Sequence, residues 1–179
     1  MRHLIGTLVV LALAFPARAQ TKFALSGENT KIEFTGSKPD GKHEGGFKAV
    51  SGAAAAAAAD PTGLKFEVEI NTESLYTDTD KLTAHLKSPD FFSVKDNPTI
   101  KFVSNKVEKT DGGGYAVTGD LTLNGKTKTI TFPAKIDLSA DKLALKSEFT
   151  INRTDFGMTY GKGKIHDDVK IRVGVDAKK

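Results

Sequence analysis

Apolar and polar positions alternate through most of this chain. Leu64, Phe66, Val68 and Ile70 are interleaved with Lys65, Glu67 and Glu69, which predicts a strand over 64–70 with one dry and one wet face. The same period of two returns at Ile100 and Phe102, at Tyr115, Val117, Gly119, Leu121 and Leu123, and at Ile130, Phe132, Ala134 and Ile136. Leu143, Leu145, Ser147, Phe149 and Ile151 give a further run, Val169, Ile171, Val173 and Val175 close the chain, and Ile32 and Phe34 mark an earlier strand. With one short strand around Phe23 and one more before Asp60, the pattern yields about nine segments, or about eight if the first two are a single bent strand.

The links between these runs set the topology. Asn124-Gly125 separates two alternating segments and suits a tight hairpin, because both turn positions need positive φ. Asp111-Gly112-Gly113-Gly114 and Ser139-Ala140-Asp141 supply two more short reversals, and short reversals make antiparallel neighbours. Such a sheet would expose long edges if left open; closing it into a barrel removes them. The fold class expected is therefore all-β, an eight-stranded antiparallel barrel.

Two stretches break the alternation. Thr77-Asp78-Thr79-Asp80 supplies helix-capping residues, Leu82 and Leu86 fall on one helical face, and Pro89 stops the run, which predicts a short helix over 79–87 near one barrel mouth. The seven alanines from Ala53 to Ala59 fit a helix by intrinsic propensity. An isolated helix that short is marginal, however, because nucleation is costly, and neighbouring strands favour recruiting the run as a strand whose small side chains leave room inside.

The first residues change the picture of where the chain works. Arg2 and His3 precede an apolar run from Leu4 to Phe15, and Ala17-Arg18-Ala19 places small residues where a signal peptidase reads. Residues 1–19 are expected to be a signal peptide, with cleavage before Gln20 and residues 20–179 forming one domain in the periplasm or outside the cell. About a dozen apolar residues are too few to span a bilayer core of roughly 30 Å, so no membrane span is expected. The chain has no cysteine, which removes disulfides, thiol nucleophiles and cysteine-held metals. Its formal charge of +4 falls to +2 once Arg2 and Arg18 leave with the leader, too weak and too interspersed for a nucleic-acid footprint.

Phe34, Phe66, Phe102, Phe132 and Phe149 each sit on the apolar face of a different run. In a closed barrel they converge on one interior, and phenylalanine brings no polar atom that needs a partner there. The pattern alone leaves two readings open: a dry cavity, or a plain packed core of the kind small barrels often have. His85 stands beside the last helical leucine and could meet a ligand head group, or cap the helix. Arg153 could pair with Asp155 to lock a strand end, or meet a phosphate through its planar fork. Tyr76 and Tyr160 offer hydroxyls near strand ends. Enzyme readings fare poorly: His43-Glu44, His85 and His166-Asp167-Asp168 show no helical metal-ligand spacing, no nucleophile elbow is present, and Gly36 to Gly46 lacks the ending of a phosphate loop.

Three blocks carry a resemblance. Leu86-Lys87-Ser88-Pro89-Asp90-Phe91-Phe92 followed by Asn97-Pro98-Thr99-Ile100-Lys101-Phe102, then Val117 to Lys128, then Asn152-Arg153-Thr154-Asp155-Phe156-Gly157-Met158, resemble the YceI-like family in order and spacing. The resemblance implies an extended lipocalin-like barrel, exported to the periplasm, that holds an isoprenoid, isoprenoid quinone or fatty-acid-like lipid, often as a homodimer. No catalysis, no metal and no cofactor beyond a bound lipid are expected. Together with the apolar faces above, it gives the candidate ligand contacts Phe34, Phe66, Val68, Tyr76, Leu82, His85, Leu86, Phe91, Phe92, Phe102, Phe132, Phe149, Arg153 and Phe156. The chain departs from the family at its start, with Phe23 and Asn29-Thr30 in place of a tryptophan and a histidine-serine pair, and carries a glycine-rich loop from Gly36 to Phe47. A periplasmic stress or protein-interaction module, with a filled barrel and no bound lipid, is the alternative function. An enzyme acting on an isoprenoid, with His85 or His166 as base, is a third.

Overall fold

In the computed structural model, which describes residues 20–179, the alternating runs pair with antiparallel neighbours throughout one sheet. The strands are β1 (Thr21–Ser26), β2 (Thr30–Lys38), β3 (Gly41–Phe47), β4 (Val50–Ala56), β5 (Lys65–Asn71), β6 (Leu75–Thr77), β7 (Thr99–Lys109), β8 (Tyr115–Leu123), β9 (Lys126–Leu138), β10 (Lys142–Asn152) and β11 (Asp168–Lys178). One helix, α1 (Asp80–Lys87), interrupts them. The predicted signal segment lies outside the described residues.

Eleven segments and eight expected strands are reconciled by chain continuity. β1 and β2 follow one another across a bend at Gly27–Asn29, β1 pairing with β4 while β2 pairs with β11 and β3. β3 and β4 likewise continue across Lys48-Ala49, and β5 and β6 across the single 3-10 turn Thr72–Ser74. Counted as bent strands, these three pairs and β7 to β11 form a ring, because the first bent strand touches both the second and β11. The bends are where the barrel wall changes direction.

Local chemistry explains the corners. Asn124 and Gly125 adopt φ of 50° and 71°, so the β8–β9 hairpin takes the positive-φ turn its sequence calls for. Thr79 caps α1 by accepting a hydrogen bond from the backbone N–H of Leu82 at 3.3 Å, and the helix ends at Lys87, before Pro89. The alanine run is a strand through Ala56, not a helix: Ala53–Ala56 pair with β1 on one side, and Ala53–Ala55 with β5 on the other. Two ladders outweigh a helical propensity that so short a run cannot express alone. The glycine-rich stretch from Gly36 to Phe47, expected as a loop, is instead the β2–β3 hairpin, in register from Ile32–Phe47 to Lys38–Gly41.

Two packed clusters bound the interior. At one end Phe23, Leu64, Leu143 and Ala177 are completely buried together with Ala54, Ala56, Val117 and Val175, forming a floor. At the other end Phe47, Val50, Ile70, Leu75, Ile100, Leu123, Phe156 and Met158 pack under the β5, β7 and β8 side of the barrel. Buried polar groups are matched as burial requires: the Ser104 hydroxyl, beside a bulge in β7, accepts from the Phe66 N–H at 2.8 Å, and the Thr72 hydroxyl donates to the Asn97 carbonyl at 2.7 Å.

Candidate ligand cavity

Between the two clusters the inward residues are only half-buried. Ile32, Phe34, Val68, Phe102, Leu121, Ile130, Phe149, Ile151, Ile171 and Val173 face one another across a cavity of about 490 Å³ rather than interlocking. That volume lies within the roughly 300–1,000 Å³ typical of small-molecule sites. Their side chains carry no donor or acceptor, so this stretch of the wall has nothing with which to order water.

Glycine placement sets the width. Gly119 on β8 stands beneath the Phe102 ring, where a Cβ would come within 2.5 Å of that ring and of the Val103 carbonyl oxygen. The ring packs over Gly119 and reaches Phe132 on β9 at 5.5 Å between centroids. Phe132 in turn stacks on Phe149 of β10 at 4.5 Å and 12°. Gly45 on β3 accommodates Phe34 in the same manner, and Phe34 contacts Phe47 and Phe92 at 6.0 and 6.4 Å.

The mouth lies beside the second cluster, rimmed by the β2–β3 hairpin, α1 and residues 157–167. His85 of α1 holds Asp90 at 3.0 Å and meets Phe91 and Tyr160 edge-on, at 5.1 and 4.9 Å. His43 faces Asp78 at 3.0 Å, and His166 faces the Ser37 hydroxyl at 3.0 Å.

Of the residues singled out in the sequence, Phe34, Phe66, Val68, Leu82, His85, Leu86, Phe91, Phe92, Phe102, Phe132, Phe149 and Arg153 all border this one cavity. Tyr76 and Phe156 do not. Tyr76 sits on β6 against Gly46, with Lys48 over its ring, and Phe156 is sunk in the second cluster. Arg153 needs a correction too: its guanidinium is fully engaged. It donates to the carbonyls of Met158 and Tyr160 at 2.7 Å each, of His166 at 3.2 Å and of Ile165 at 3.3 Å, and to the Asp167 carboxylate at 2.9 Å. No donor is left for a phosphate, and the partner is Asp167 rather than Asp155.

Sequence reasoning missed Ile32, Leu121, Ile130, Ile151, Ile165 and Ile171 as lining residues. All but Ile165 stand on alternating runs, but the apolar faces contribute mainly their phenylalanines to the candidate contacts, and Ile165 lies in a loop with no periodic signal. Among the described residues no group of three His, Asp, Glu or Cys side chains is arranged to hold a metal ion, and no helix is long and apolar enough to cross a membrane.

Comparison with known proteins places this architecture. A UPF0312 protein of Pectobacterium atrosepticum is 33% identical over 170 residues, covering 88% of this chain and 85% of its own. The crystal structure of Burkholderia cenocepacia BcnA superposes with a TM-score of 0.75 at 24% identity, over 83% of this chain and 96% of that one. A polyisoprenoid binding domain from Saccharophagus degradans, implicated in plant cell wall breakdown, gives 0.70 at 15% identity over 89% and 99%. The YceI-like domain profile matches residues 23–177, nearly every described residue, and this chain belongs to the YceI-like family.

Proposed function

We propose that this chain binds a long apolar amphiphile, an isoprenoid or a related lipid, inside its barrel, and does so in the periplasm after loss of residues 1–19. The observation that carries the reading is the apolar chamber of about 490 Å³ left between two tightly packed ends. A barrel selected only for stability would fill that space, because unfilled apolar volume costs packing energy. The shared fold with a domain named for polyisoprenoid binding supports the same reading.

Binding is driven by the chain of the ligand, at about 0.8 kcal/mol per buried methylene. The mouth contributes less. Arg153, His85, His43 and His166 each already have a protein partner there, so an incoming charged head group would have to displace existing bonds. A neutral head group, such as a hydroxyl or carbonyl, meets no such cost. The chain acts as a binder rather than a catalyst, its interior being walled by aliphatic and aromatic groups.

Mass spectrometry of an organic extract of the purified protein tests this. A stoichiometric lipid that is absent from extracts of a mock purification is expected. A clean extract, together with failure to take up any added prenyl alcohol or fatty alcohol, would refute the reading.

A further inference from the structure

The barrel wall is not hydrogen-bonded all the way round. β9 pairs with β8 through residues 126–134, from Leu123–Lys126 to Tyr115–Ala134. It pairs with β10 only through 135–138, from Lys146–Lys135 to Leu143–Leu138. No residue of β9 is laddered on both sides. Beyond Lys146, β10 stays with β11 as far as Asn152–Asp168, so no backbone ladder joins residues 126–134 to 147–152, and this unladdered seam is a slit held by side-chain contacts alone. Its inner end is marked by the Ser147 hydroxyl donating to the Pro133 carbonyl. Its outer end is closed by the Asn124 side-chain amide donating to the Phe156 carbonyl at 3.1 Å.

The slit borders the cavity. Ile130 and Phe132 on one side and Phe149 and Ile151 on the other are cavity residues. Lys128 stands near the outer end of the slit, close to the Asn124-Gly125 turn. It shares the inward parity of Ile130 and Phe132 and stands opposite Leu121 in the ladder, yet it is exposed. What spans the gap is the Phe132–Phe149 stack, a contact of two rings that can part without breaking a backbone ladder.

We propose that the apolar chain enters sideways, through the slit between β9 and β10, with Phe132 and Phe149 as its gate. This rests on the lipid-binding reading above. Lateral entry lets a long chain slide in along its whole length, whereas entry at the mouth requires it to thread past His85, Phe91 and Tyr160, which pack together.

The chain has no cysteine, so Thr131→Cys with Thr150→Cys places one unique thiol on each lip, at positions that would face each other if the ladder continued. A bismaleimide long enough to span the gap ties the lips; the same variant capped with N-ethylmaleimide is the control. Uptake of dansyl-labelled geranylgeraniol is followed by stopped-flow fluorescence. The tied protein should take up the probe at least tenfold more slowly than the capped one. Equal rates would overturn lateral entry while leaving lipid binding intact, and no uptake by either form would overturn both. Phe149→Leu, free of any cross-link, tests the same gate independently: uptake should quicken at least threefold, and an unchanged or slower rate counts against it.

Discussion

Replacing Arg153 by methionine keeps an unbranched apolar stem and removes every donor. Arg153 is only 4% exposed, and its guanidinium reaches four carbonyls and one carboxylate drawn from residues 158–167. Those residues form no regular element, so this one group substitutes for the backbone bonds that a strand would have supplied. A buried acceptor left bare costs about 1–3 kcal/mol, but the loop borders the surface and Asp167 is partly exposed. Water therefore recovers part of the loss, and the total should sit near the roughly 3–5 kcal/mol seen when one member of a buried ion pair is removed. At about 2–4 °C per kcal/mol for a domain of this size, the melting temperature should fall by about 6–20 °C. Arg153→Lys should recover less than half, because a single ammonium cannot serve acceptors on both sides of the fork. Asp167→Asn keeps an acceptor oxygen but removes the charge from one bond in five, and should cost about 1 kcal/mol. Thermal unfolding by circular dichroism reads all three. A loss under about 3 °C for Arg153→Met, or equal losses for Arg153→Met and Asp167→Asn, would show that the carbonyl clamp does not hold the loop.

Other outcomes follow from the same structure. Gly119→Ala puts a methyl against the Phe102 ring and a fixed carbonyl, and should cost about 1–3 kcal/mol by overpacking; a neutral urea midpoint would contradict the close approach. Phe102→Trp extends a half-buried ring into the chamber, so the variant should keep its melting temperature within a few degrees but lose co-purified lipid, whereas retained lipid would move the ligand elsewhere. The Thr62 N–H and hydroxyl hold Asp60, and the Thr129 hydroxyl with the Asn105 side chain holds Asp120, below the usual carboxylate range. Depressed folded values mean that this stabilisation is complete above about pH 4 and is lost as pH falls through them. The Asp60→Asn, Asp120→Asn double variant should therefore show a shallower decline in melting temperature between pH 5 and pH 2 than the parent; parallel declines would remove these groups from the account.

Strands were legible wherever one face met water. Leu64 to Ile70 and Tyr115 to Leu123 alternate cleanly because each side chain there answers to either the chamber or the solvent, and β5 and β8 occupy nearly those spans. The β2–β3 hairpin was not legible: Gly45 and Gly46 are in a strand because Phe34 and Tyr76 cover them, a pairing that appears only when register is known. Arg153 misled for a related reason. Its sequence neighbourhood offered Asp155, while its partners lie up to 14 residues onward in a loop with no periodic signal. Phe91 and Phe92 came from a motif, not from alternation, and the same motif logic placed Phe156 in the wrong compartment.

The packed floor turns the barrel into a gauge of chain length. From Leu145 at the floor to Ile151 near the mouth, β10 advances six residues, or about 20 Å of strand. For alkyl or prenyl chains shorter than this depth, each added methylene deepens burial and should tighten binding about fourfold, the factor equivalent to 0.8 kcal/mol. A longer chain meets Phe23, Leu64 and Leu143, which leave no space to advance, and its surplus carbons must double back or remain outside in water. Affinity plotted against chain length should thus climb steeply and then flatten, and the carbon number at the break measures the depth of the floor without any structure of the complex.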